Sequence, residues 1–235
     1  MKNIAVILAG GSGQRYGTET PKQFLKVAGK MVVEHTINVF NTHPSIDEIA
    51  VVVPQKYIAV MSMSVIDNKF GKVRKILVGG QERYQSTLAA LKAYENEADF
   101  NILLHDAVRP LISHCIIDDV LNALDQYNAV LVAVLTVDTI VKATSDNIIS
   151  LVPDRQWLRN AQTPQAFKFN TLKKAYNIAL SDDTFSNTDD CGVVFRYLSE
   201  EQVFIVDGNP ENFKLTHKED LILLEKLLQS NLETE

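Results

Sequence analysis

The feature that constrains this chain most is an alternation. Short, β-rich apolar runs recur through its first half: IAVIL at 4–8, EIAVVVP at 48–54, VRKILV at 73–78, NILLHD at 101–106 and AVLVAVL at 129–135. Between them lie segments with helical spacing, among them VVEHTINVF at 32–40, STLAALKAY at 86–94 and HCIIDDVLNAL at 114–124. A strand that is apolar throughout is buried on both faces, and the amphipathic helices between such strands cover it. The pattern predicts an α/β fold, a mostly parallel twisted sheet with helices on both faces. Ligands in such folds sit outside the carboxyl ends of the strands. The 235 residues are expected to form a single domain, 1–235, since no repeat, low-complexity tract or linker divides them.

One segment breaks the rhythm. Residues 138–160, DTIVKATSDNIISLVPDRQWLRN, read as two extended pieces, DTIVKA and IISLVP, around a Ser-Asp-Asn turn. That is a hairpin the sheet does not need, and it predicts a protruding β-arm. Helical spacing resumes at 170–180, QVFIVDG at 202–208 reads as a strand, and an amphipathic helix is expected over about 217–229. Thr216 and Glu219 have the spacing of a capping box at its start.

The formal charge of −6 argues against a general nucleic-acid or membrane-surface binder, so local uses of cations matter more than their total. Cys115 and Cys191 stand far apart without metal-ligand spacing and read as reduced thiols. The N-terminal apolar run is too short for a signal segment or a membrane span, and a soluble, cytoplasmic protein is expected.

The loop after the first apolar run, GGSGQRYGTETPK, carries glycines together with Arg15 and Lys22. It lacks the Gly-Lys-Ser/Thr ending of a Walker A loop. It misses the GxGxxG spacing by one residue, and Pro54 stands where a ribose-binding acid would end the next strand, which disfavours a nicotinamide enzyme. A tight strand-to-helix turn would explain the glycines but not the cations. Close backbone approach, several N–H donors and positive charge are what a triphosphate requires.

LAGGSGQRYG followed by PKQF resembles the signature of the nucleotidyltransferase family that contains the methylerythritol-phosphate and ribitol-5-phosphate cytidylyltransferases. The resemblance continues through GGQERYQS at 79–86, HDAVRP at 105–110, VDTIVKA at 137–143, DRQWLRNAQTPQAF at 154–167, NTDDCG at 187–192 and ENFKLTHKEDL at 211–221, in family order. It implies a Rossmann-like nucleotidyltransferase fold. In the implied reaction a phosphate-monoester oxygen attacks the α-phosphorus of CTP and expels pyrophosphate. The second pKa of such a phosphate is about 6, so the nucleophile is already ionised and no general base is needed. Catalysis then rests on positioning and on cations aimed at the developing charge.

By resemblance, Arg15, Lys22 and Lys214 hold the triphosphate and stabilise the transition state. Backbone at Ala9, Gly10, Gly11 and Gly13, with Gly80 and Ser86, binds the rest of CTP. Asp106 serves Mg²⁺ or acceptor hydroxyls, and Arg109 the acceptor region; a plain Asp106–Arg109 ion pair is the other reading. His105 is expected to be a packed strand-end residue. Mg²⁺ is implied by triphosphate chemistry. The arm at 138–160 is expected to exchange between two subunits of a homodimer, carrying Thr139 and Arg155 to the acceptor phosphate of shared sites, with Trp157 packing the interface. The partners are thus CTP, a polyol phosphate and a second copy, with no nucleic acid and no membrane. Val108 in HDAVRP favours D-ribitol 5-phosphate as acceptor, with methylerythritol 4-phosphate as the alternative. A non-catalytic nucleotide-binding regulator is the reading from a different class.

Overall fold

The structure, a computed structural model, describes residues 1–11, 20–186 and 189–232. Its strands are β1 (Asn3–Leu8), β2 (Lys26–Val27), β3 (Lys30–Met31), β4 (Glu48–Val53), β5 (Val73–Val78), β6 (Asn101–Asp106), β7 (Ala129–Leu135), β8 (Lys142–Ala143), β9 (Ile149–Leu151), β10 (Arg159–Lys168) and β11 (Val203–Asp207). The helices are α1 (Val32–Thr42), α2 (Ile58–Asp67), α3 (Arg83–Ala93), α4 (His114–Ala123), α5 (Phe169–Ala179), α6 (Asp190–Tyr197) and α7 (Glu219–Leu232). Every apolar run singled out in the sequence is a strand. β1, β4 and β6 are all but completely enclosed, as continuous hydrophobicity requires.

The main sheet has seven strands in the order β11-β7-β10-β6-β1-β4-β5. All pairings are parallel except those of β10, which runs against both β6 and β7. One face packs under α1, α2 and α4 through Ile37, Phe40, Met61 and Ile117. The other packs under α3, α5 and α6 through Leu91, Leu172, Tyr176 and Val194. A smaller cluster of Val27, Val32, Val108, Leu215 and Leu224 ties α7 to the loop after β6.

The chain winds outward from β1 to β4 and β5, then returns to place β6 on the other side of β1. The order therefore reverses between β1 and β6, whose register pairs Leu8 with Asp106. The crevice at such a reversal is where open α/β sheets bind ligands.

Two readings need correction. Residues 159–168 form a central strand, which the sequence pattern did not predict, because Gln162, Thr163 and Gln165 are polar yet buried. Pro164 also removes a ladder donor, and the register shifts between Ala161 and Gln165. At the start of α7, the N–H groups of Thr216 and His217 donate to the Asp220 carboxylate, 2.6 and 2.7 Å away. The Thr216 hydroxyl turns back to the Lys214 carbonyl, so the charged acceptor replaces the expected Thr216–Glu219 box. The hairpin is present, with β8 and β9 antiparallel and Asn147 in the turn at φ +60°, and its side chains are almost all exposed.

Candidate active site

At the end of β1 the chain is pinned before the loop begins. The Ala9 N–H donates to the Val52 carbonyl at 2.8 Å. The buried Gln23 amide donates to the carbonyls of Ala9 and Gly11, each at 2.8 Å. Gln23 was not singled out in the sequence, although it stands inside the PKQF motif. Gly10 approaches Ser86 so closely that a Cβ there would lie 2.5 Å from its Oγ, and a Cβ on Gly79 would lie 2.7 Å from the same atom. Glycine is thus required where the loops after β1 and β5 meet. Ser86, Ala9, Gly10 and Gly80 are brought together as the motifs implied, while Gly13 and Arg15 lie outside the described residues.

Two adjoining clefts open here. One of about 160 Å³ is lined by Ala9, Gly10, Gly11, Lys22, Ser86, Asp106, Val108 and Lys214, among others. The other, about 660 Å³, runs from Gly10 and Pro21 past Pro54 and Lys56 to Gly79, Gly80 and Gln81. Together they fall within the size range of small-ligand sites. The N-terminus of α3 faces the smaller cleft, adding the positive end of a helix dipole.

Asp106, at the end of β6, is held by two cations. Its Oδ1 faces Arg83 Nε at 3.3 Å and its Oδ2 faces Lys214 Nζ at 2.7 Å. Burial alone would push this carboxyl up, but the charges of Arg83 and then Lys214 outweigh it and hold it well below the usual carboxylate range. The alternative reading, a plain Asp106–Arg109 ion pair, does not occur. The Arg109 guanidinium is buried, donating to the carbonyls of Asn212 at 2.7 Å and Ala161 at 3.4 Å, so it clamps the loop before Lys214. Burial lowers its pKa, with Asp106 opposing the shift. Lys22 Nζ donates to the Leu215 carbonyl, which joins the first loop to the Lys214 loop.

Asp106 does not fit a resident magnesium site. Both oxygens are already in ion pairs, and no group of three or more His, Cys, Asp or Glu among the described residues could hold a metal ion.

His105 is fully enclosed. Its Nε2 donates to the Arg109 carbonyl at 3.0 Å and its Nδ1 accepts from Thr163 Oγ1 at 3.1 Å, which fixes a neutral tautomer. Thr163 Oγ1 in turn accepts the Asp106 N–H at 3.1 Å. Burial pushes the His105 pKa down to about 4, so it is a packed strand-end residue as expected.

Arg155 lies on the arm, away from this group. It donates to the Val137 carbonyl at 2.9 Å and lines a separate hollow of about 700 Å³ with Leu135, Thr136, Asp154 and Gln156. Thr139 is exposed nearby in sequence. Within one chain, neither is brought to the cleft of Lys22, Asp106 and Lys214.

Besides Gln23, sequence reasoning missed Arg83 and Asp190. Arg83 Nη1 pairs with Asp190 Oδ2, and Asp190 Oδ1 accepts from Thr87 Oγ1 at 2.8 Å and from the Tyr176 hydroxyl at 2.6 Å. A signal was present: an arginine in the first turn of a helix opposes the dipole and calls for an acidic partner.

The family model described as IspD, 2-C-methyl-D-erythritol 4-phosphate cytidylyltransferase, matches residues 3–230. The chain belongs to the IspD family. Like the family's named members, it is a cytidylyltransferase, a nucleotidyltransferase enzyme. It is 46% identical over 231 residues to the bifunctional ribulose 5-phosphate reductase/CDP-ribitol pyrophosphorylase Bcs1 of Haemophilus influenzae, covering 97% of this chain and 48% of that protein. The chain therefore spans about half the length of that relative. It is 41% identical to the 2-C-methyl-D-erythritol 4-phosphate cytidylyltransferase of Thermobifida fusca (strain YX), covering 97% of this chain and 94% of that one. The crystal structure of 4-diphosphocytidyl-2C-methyl-D-erythritol synthase from Anaerococcus prevotii superposes with a TM-score of 0.85 at 30% identity, over 97% of this chain and 98% of that chain. An IspD-family fold is thus established for a sheet whose reversal point carries the cleft.

Proposed function

We propose that this cytidylyltransferase transfers CMP from CTP to D-ribitol 5-phosphate, forming CDP-ribitol and pyrophosphate. The observation that carries the acceptor is Val108. It lines the smaller cleft with Asp106 and Lys214, and its side chain is braced by Val27, Val32 and Leu215. A valine that cannot retreat narrows the cleft beside Asp106, which favours a linear polyol phosphate over a methyl-branched one. The CDP-ribitol name of the Haemophilus relative supports the same choice. The alternative, 2-C-methyl-D-erythritol 4-phosphate, has the family description and the Thermobifida relative in its favour.

In this reading Ala9, Gly10, Gly80 and Ser86 bind the nucleoside, and the loop carrying Gly11, Gly13, Arg15 and Lys22 holds the triphosphate. Lys214 meets the α-phosphate, and the ionised acceptor phosphate attacks in line without a general base. Magnesium enters with CTP, as part of the substrate. The active unit is a homodimer in the cytoplasm. Val137 and Trp157 on the arm are each 78% exposed, an apolar surface that a second copy would cover while Thr139 and Arg155 reach its acceptor phosphate.

The test is pyrophosphate release with CTP and each acceptor in parallel. A kcat/KM favouring ribitol 5-phosphate by a hundredfold, about 2.7 kcal/mol, is expected. The opposite preference would assign the methylerythritol acceptor. In that event Val108→Ala should leave the preference unchanged.

A further inference from the structure

Arg83 joins two carboxylates that differ in surroundings. Asp190 is completely buried and fixed from three sides: by Thr87 on α3, by Tyr176 on α5, and by the side-chain oxygen of Gln165 on β10, which accepts the Asp190 N–H at 2.9 Å. Asp106 lies at the cleft, with one oxygen on Arg83 and the other on Lys214. The planar guanidinium, seated on Asp190 by Nη1, therefore fixes where Asp106 Oδ1 points and presents Oδ2 to Lys214.

The charge balance has a consequence for the reaction. If Asp106 had Lys214 as its sole counterion, moving that lysine to a triphosphate would strand a buried carboxylate, which is strongly unfavourable. With Arg83 in place, Asp106 remains paired when Lys214 leaves, and Oδ2 becomes free to accept from an acceptor hydroxyl. We propose that Arg83 is a positioning residue for cytidylyl transfer: anchored on buried Asp190, it keeps Asp106 ion-paired and oriented when Lys214 turns to the nucleotide. The inference rests on the reading of Lys214 as a triphosphate ligand.

Removing Arg83 alone would leave Asp190 buried without its cation, so the test pairs Arg83→Met with Asp190→Asn, which retains an oxygen for Thr87 and Tyr176. Melting temperature and steady-state kinetics are compared in the parent and in a Lys214→Met background, with CTP as the varied substrate. The expected result is a fall of tenfold or more in kcat/KM for CTP in the parent background. In the Lys214→Met background the same pair of changes should lower it less than threefold, because no lysine remains to be released. Equal factors in both backgrounds, or no fall in the parent, would overturn the proposal as a structural effect or none. A Lys214→Met protein as active as the parent would overturn the underlying assignment of Lys214, and this proposal with it. Should the paired variant fail to fold, a crystal structure of the unaltered protein with CTP decides. Arg83 still on Asp106 with Lys214 on the nucleotide is expected; Lys214 remaining on Asp106 refutes it.

Discussion

Gln23 carries no charge, yet its amide fixes the two carbonyls that flank Gly10. Gln23→Glu is nearly isosteric but would set a carboxylate against those carbonyls. It should destabilise the fold at pH 7 more than Gln23→Ala, whose cost is about 1–3 kcal/mol for the abandoned acceptors. Part of the loss should return as the pH is lowered and the new carboxyl takes a proton, which urea unfolding at pH 7 and pH 5 would reveal. His105 makes a second prediction with the opposite sign. Its folded pKa of about 4 lies below the ordinary 6.5, so the unfolded chain binds the extra proton between those values. Its contribution, of order 3 kcal/mol at most, is full above pH 6.5 and lost as the pH falls toward 4. The acid-side decline in the urea midpoint should flatten in His105→Gln; an unchanged slope would count against this account. At this scale the sequence was legible where chemistry sits in contiguous motifs, as with Lys22, Ser86, Asp106 and Lys214. Arg83 and Asp190 stand 107 residues apart, and their pairing is created only when α3 and α6 cover the same face of the sheet.

Elements were legible in proportion to their apolar content. β1, β4 and β6 announce themselves because burial on both faces demands hydrophobic residues throughout. β10 was silent for a physical reason. Its buried polar side chains have partners elsewhere: Gln162 donates to the Asn209 carbonyl, Thr163 to His105, and Gln165 to Asp189. A strand whose interior residues serve as struts for neighbouring loops does not look like a strand. The start of α7 gives a direct comparison between the expected and observed caps. Asp220→Ala should cost about 1 kcal/mol, since it removes the acceptor of two backbone N–H groups, whereas Glu219→Ala should cost only a few tenths. Circular dichroism melts of the two variants would separate them, and equal losses would restore the Thr216–Glu219 reading.

For the whole molecule, family membership was readable because its motifs run in order along nearly the entire chain, and the structure agrees with relatives over 97% of its length. How two copies combine is the proposal that belongs to this scale. An Arg155→Ala chain mixed with a Lys22→Ala chain should regain activity under conditions where subunits exchange, because one site of the mixed dimer would contain both intact residues. Mixtures that stay inactive despite demonstrated exchange would reject shared sites. The register at the base of the arm carries a further consequence. Leu135 and Arg159 are partners in the ladder between β7 and β10, so the chain leaves and re-enters the sheet at one point. The ends of the excursion are already closed by pairing within the core, and adding residues to it carries little additional entropy cost. The segment from 136 to 158 is therefore a natural place for insertion, shortening or grafting. Changes there would alter what the enzyme touches through its arm, the acceptor phosphate included, while leaving the sheet and the Lys22–Asp106–Lys214 cleft intact.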